Sequence, residues 1–163
     1  MTSARRPRAL LVALATGSVL AIAAGLIGLP AAGSAAQGQS QLRLFQHDTS
    51  QQFVDVGDPG PSVGDQFVFG GDVSASQGGS RIGRMAGSCT SSSDSEILCS
   101  AAFTIGADQI TYQGIAETGS FYGGVPTDFA ITGGTGRYRK ASGTLTGRIL
   151  PDSSDAEFLV DLR

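Results

Sequence analysis

One histidine, two cysteines and three tyrosines in 163 residues leave little material for several kinds of chemistry. A zinc site needs three or four nitrogen or sulfur ligands at close spacing, and His47, Cys89 and Cys99 do not supply them. No G-x-S-x-G elbow is present to raise a serine nucleophile, which removes the usual hydrolase signature. Charge is also sparse, at 15% of residues, and no stretch carries sustained helical periodicity. Apart from one run near the start, no apolar segment is long enough to cross a membrane as a helix.

That run reads as an export address. Arg5, Arg6 and Arg8 precede an apolar stretch from Ala9 to Leu29, which Pro30 ends, and Ser34-Ala35-Ala36 presents the small residues that a signal peptidase reads. Residues 1–36 are therefore expected to be a signal peptide and 37–163 the mature domain, secreted and with no membrane insertion after cleavage. Cleavage removes three of 11 basic residues and no acidic ones, leaving eight against 14 and a net charge of −6. A chain of that sign does not attract nucleic acid, whose recognition needs a basic face. The one dense basic patch, Arg137 to Lys140, reads as a solvated loop.

The mature chain consists of short alternating runs parted by Gly, Pro, Asp and Ser. They are "QLRLFQHD", "QFVFGGDV", a hairpin from "RIGRMAGSC" to "ILCSAAFTIG", "QITYQGIAE", "TDFAIT", "ASGTLTGRIL" and "AEFLVDLR". Eight strands with short turns and no helix predict an all-β fold, an eight-stranded antiparallel β-barrel, since closure removes exposed edges. Phe67 and Phe69 alternate with Val68, which predicts a strand covered on both faces. A register centred near Asp94 puts Cys89 opposite Cys99, and export favours a disulfide between them.

"ITGGTGRYRKASGTLTG" has the glycine content of a phosphate loop but not its context. Phosphate loops lead from a strand into a helix, whereas the residues from Ala141 onward alternate as a strand. Gly133, Gly134, Gly136 and Gly143 instead predict a strand-to-strand corner that needs positive φ and close backbone approach.

The same segment, as "AITGGTGRYRKASGTL", resembles the signature of allene oxide cyclases and of their barrel relatives, the dirigent proteins. "SVGDQFVFGGDV", "RIGRMAGSC", "IGADQITYQG" and "DFAITGGTG" follow the order and approximate spacing of the cyclases, over most of Leu42 to Arg163, while "LFQHD" is similar to the dirigent first strand. The resemblance implies a barrel with an apolar cavity, a small apolar or phenolic ligand, no cofactor and a homotrimer. It assigns the pocket carboxylate, the candidate catalytic group, to Asp48. The dirigent second acid falls at Arg137 and the dirigent arginine at Ser142, so two of three proton-handling groups have changed type. A cyclase pocket asparagine falls at about Gly71 and a pocket cysteine at Cys89.

Tyr112, Tyr122, Asp72, Glu117 and Asp128 are further polar candidates, each expected on a rim or surface. His47 adjoins Asp48 and so faces the opposite way, which rules out a dyad and leaves an exposed or hydrogen-bonded side chain. Two functions follow: a secreted barrel that directs the cyclisation or coupling of its ligand, in the manner of an isomerase, or a non-catalytic carrier or interaction module. An open apolar interior favours the first, a barrel filled by side chains the second.

Overall fold

A computed structural model describes residues 40–57 and 59–163. The segment expected to be a signal peptide, with its expected cleavage site, lies outside the described residues. Eight strands form a closed antiparallel barrel in chain order: β1 Ser40–Val54, β2 Gln66–Ser74, β3 Arg81–Ser91, β4 Glu96–Ile105, β5 Asp108–Glu117, β6 Thr127–Gly134, β7 Gly143–Ile149 and β8 Ala156–Leu162. β8 returns to pair with β1, from Ser40 opposite Leu162 to Gln46 opposite Ala156. The up-and-down order places four of the seven connections at one end, and three, with the two ends of the strand series, at the other. The β1–β2, β3–β4, β5–β6 and β7–β8 connections surround one end, called here the mouth, and the β2–β3, β4–β5 and β6–β7 connections surround the other.

Alternation decides what lies inside. Leu44, Val73, Met85, Phe103, Ile110, Phe129, Leu145, Phe158 and Val160 are all buried and form one core. The Phe103 ring stands 5.1 Å from Phe158 edge-on and 5.8 Å from Tyr112, with Tyr112 a further 5.4 Å from Phe129. These centroid spacings are those of favourable aromatic packing, and they fill the middle of the barrel. Cys89 and Cys99 face each other across β3 and β4 with Cα atoms 4.0 Å apart, and they are bonded.

The glycine segment is the corner between β6 and β7. Gly136 has φ +57°, and a Cβ there would strike the Asp108 carboxylate, which in turn pairs with Arg137 at 3.0 Å. Gly133 and Gly143 also have positive φ. Gly134 does not; it is needed for close approach, since a Cβ would lie 2.7 Å from the Tyr138 carbonyl oxygen. The corner brings Tyr138, on the short 3-10 turn Gly136–Tyr138, against the far end of the core.

Four expectations are corrected. Val68 points outward and is 41% exposed, so β2 is covered on its inner face only. Tyr112 is not on a rim but inside, 3% exposed. A helix is present after all, the single turn α1 Thr118–Tyr122, too short to show periodicity. β1 does not stop at Asp48: its pairing with β2 skips one residue between Asp48 and Ser50 and continues to Val54. Such a bulge reverses which side chains face in, so Gln51 and Phe53 join Asp48 on the inner side, opposite Phe69 and Phe67.

Candidate functional site

The mouth leads into a cavity of about 50 Å³, room for a few heavy atoms. Its wall is aromatic: Phe67 and Phe69 from β2, Tyr112 from β5, Phe121 and Tyr122 from α1, and Phe158 from β8. Phe67 and Phe69 stack at 5.7 Å, and Tyr122 meets Phe67 edge-on at 6.4 Å. Burial pushes the Tyr112 hydroxyl far above the ordinary phenol range, and partial burial raises Tyr122 as well, so both are neutral phenols.

α1 owes its position to Glu117. The carboxylate accepts hydrogen bonds from the amides of Gly119, at 3.0 Å, and Ser120, at 2.5 Å, capping the turn that carries Phe121 and Tyr122. Hydrogen bonding to Ser120 first, and to Gly119 after it, holds the Glu117 carboxyl below its ordinary value. Asp65 does similar work in the β1–β2 connection, accepting from the amides of Val56 at 2.8 Å and Ser62 at 2.7 Å. Those two bonds, Val56 first, lower its carboxyl also.

Asp48 is the one charged side chain on the cavity wall among the described residues. It is half-buried on the inner face of β1, and its two oxygens accept from the side-chain amides of Gln46 and Gln51. Gln46 is itself 4% exposed. The bulge makes this bracket, because without it Gln51 would face outward. Opposite Asp48 is Gly71, where a Cβ would overlap the His47 carbonyl oxygen and stand 2.6 Å from the Gln46 amide nitrogen. Cys89 also lines the cavity, but as half of the disulfide.

The remaining candidates lie elsewhere. His47 faces outward, with Nδ1 2.7 Å from Asp155. Asp72 pairs with Arg81 at 3.1 Å, and Asp128 accepts from Thr146 Oγ1 at 2.6 Å. Arg137 and Ser142 sit at or beside the β6–β7 corner, at the opposite end from Asp48, so the positions that the resemblance pairs with it are not brought to it. The sequence reading missed Gln46, Gln51 and Phe121. Gln46 could have been found, as it keeps the parity of Leu42, Leu44 and Asp48; Gln51 could not, because a bulge leaves no mark in so polar a run. Among the described residues no group of three or more His, Cys, Asp or Glu could hold a metal, and no helix is long and apolar enough to cross a membrane.

Comparison with known proteins agrees with this geometry. A pyocyanin demethylase structure superposes with a TM-score of 0.66 at 25% identity, covering 76% of this chain and all of that one. An exo-specific intermolecular Diels–Alderase gives 0.63 at 17% identity, over 76% of this chain and 97% of the other. A pterocarpan synthase dirigent protein gives 0.58 at 17%, over 76% and 82%. These two show a shared fold. No curated protein sequence matches the chain. The model of the allene oxide cyclase barrel like domain matches residues 44–160, from the buried Leu44 of β1 to Val160 of the core on β8, and the chain belongs to that family.

Proposed function

We propose that the mature protein is exported and binds one end of a small apolar or phenolic molecule in the mouth cavity, with Asp48 as the group that takes or gives a proton there. The carrying observation is the six-ring aromatic wall with a single carboxylate set into it. Such a wall removes water and confines a flexible molecule to few conformers, the main requirement of a cyclisation or coupling with no covalent intermediate. The leader pattern and the disulfide both favour an oxidising compartment. The similar structures that bear the names of a cyclising enzyme, a demethylase and a dirigent protein support small-molecule chemistry in this fold, without naming a reaction for this chain.

A second reading, a ligand carrier without turnover, is favoured by the filled interior. Phe103, Tyr112, Phe129 and Phe158 occupy the middle of the barrel, and Arg137 and Ser142, at the two positions that the resemblance pairs with Asp48, lie at the other end. One experiment serves both. Small molecules extracted from protein recovered from culture medium are identified by mass spectrometry, and binding of a hydrophobic fluorescent probe is titrated in wild type and in Ala156→Leu, which fills the cavity. Saturable binding lost in the variant is expected; no saturable binding by wild type refutes the pocket. Turnover of a retrieved ligand that falls in Asp48→Asn supports catalysis, and binding without turnover supports the carrier.

A further inference from the structure

We infer that the end of the ligand seated in this cavity is a cation; this rests on the mouth cavity being the binding site. Two independent observations converge. Among the described residues the wall holds six aromatic rings and one carboxylate, and no lysine, arginine or histidine. Ring faces attract cations through their quadrupoles, and a carboxylate at the same wall adds a full charge of the right sign. A neutral apolar ligand would gain nothing from Asp48, whose half-buried charge would lose solvent on ligand entry with no compensation.

The Gln46 and Gln51 amides each take one acceptor site on Asp48, and the remaining lone pairs of the two oxygens are left to face a compact cationic head. About 50 Å³ suits such a compact head, the rest of the molecule lying over Phe67 and Tyr122 at the rim.

The charge layout of the whole barrel points the same way. The four mouth-end connections, residues 55–65, 92–95, 118–126 and 150–155, contain no lysine or arginine, but they carry Asp55, Asp65, Asp94, Asp152 and Asp155. Five of the eight cations that follow residue 36 lie at the other end: Arg81 opens β3, the corner holds Arg137, Arg139 and Lys140, and Arg163 follows β8, while Arg148 near the mouth is paired with Glu157 on the outer wall. Acidic connections around an aromatic mouth steer cations toward it and turn anions away.

The test uses the mature chain and three bicyclic probes of matched shape: N-methylquinolinium, neutral 1-methylnaphthalene and anionic 1-naphthoate. Wild type is expected to bind the cation at least about tenfold more tightly than the neutral isostere, and the anion weakest, with the cation preference falling as salt is raised. In Asp48→Asn the cation preference should shrink to about twofold or less, while Asp72→Asn on the outer wall keeps it whole. Equal or tighter binding of the neutral probe by wild type overturns the cation inference but leaves the pocket standing. A preference undiminished in Asp48→Asn overturns it too. If none of the three probes binds, the pocket reading falls with it.

Discussion

Replacing one of two adjacent glycines should unfold the site, while replacing the other should leave it unchanged. Gly70 and Gly71 are neighbours in β2, opposite Ser50 and Asp48 on either side of the β1 bulge. At Gly71 an added methyl would overlap the His47 carbonyl oxygen and lie 2.9 Å from its carbon. Main chain cannot rotate away as a side chain can, so β1 and β2 would have to part by on the order of 1 Å along the pairing that carries Asp48. Overpacking of this kind costs about 2–4 kcal/mol in a closed barrel with no free edge to give way. For a domain of this size that is a fall in Tm of about 6–15 °C. At Gly70 the nearest atom to the added methyl is Ser50 Oγ at 3.0 Å, a hydroxyl that can turn aside, with the Met85 carbonyl oxygen at 3.5 Å. Gly70→Ala also restricts the unfolded chain, so its net effect should stay within about 1 kcal/mol of zero. Thermal melts of the two variants, followed by circular dichroism, make the comparison. Equal losses from both, or a Gly71→Ala melt within about 2 °C of wild type, would refute the assignment of Gly71 as the position that lets β1 approach.

Removal of the disulfide by Cys89→Ala with Cys99→Ala should cost about 2–3 kcal/mol, since the bridge closes a short loop. Denatured, unreduced wild type should titrate no free thiol; two thiols would refute the pairing. Glu157 is buried on the outer wall, receiving Arg43 Nε at 2.5 Å and Arg148 Nε at 2.7 Å. Loss of solvent raises its carboxyl, but the hydrogen bonds and charges of Arg148 and Arg43 outweigh that and leave it below its ordinary 4.5. A depressed folded value means stabilisation that is complete above pH 4.5 and lost as pH falls through the folded value. Glu157→Gln should therefore cost about 1–2 kcal/mol at pH 7, because both guanidinia remain half in solvent, and progressively less below 4.5. Denaturant melts at pH 7, 4.5 and 3 check this, and a constant difference would refute it.

The strands were legible because each one alternates, and the disulfide because a serine-rich turn fixes a single register. Val68 misled because an apolar residue on an outward face is common and says little about burial. Tyr112 should have been placed inside: Ile110 shares its parity, while Thr111 and Gln113 between them are polar. What placed it on a rim was the habit of its residue type, and the alternation of its strand was the better guide. The bulge in β1 left no trace because its pairing with β2 makes it, and the single turn α1 is too short to show periodicity although its cap, Glu117, is local. A run such as "TSQQ" reads as solvent on both faces, yet one residue's slip puts Gln51 on Asp48 and Phe53 beside the mouth.

The glycine corner bears on function from the end it does not touch. Gly134 and Gly136 let the chain fold back under Tyr138 and over Asp108, and Tyr138 then packs against the far side of the core. With that end stopped, and Phe103, Tyr112, Phe129 and Phe158 filling the middle, the aromatic cavity lies at the mouth, beside α1 and the β1 bulge. The corner also keeps Arg137 on Asp108 and draws the basic residues of "RYRK" to the closed end. A residue series that looks like a phosphate loop thus works against an anion site at the mouth: among the described residues it leaves Asp48 as the one charge a ligand meets on the aromatic wall.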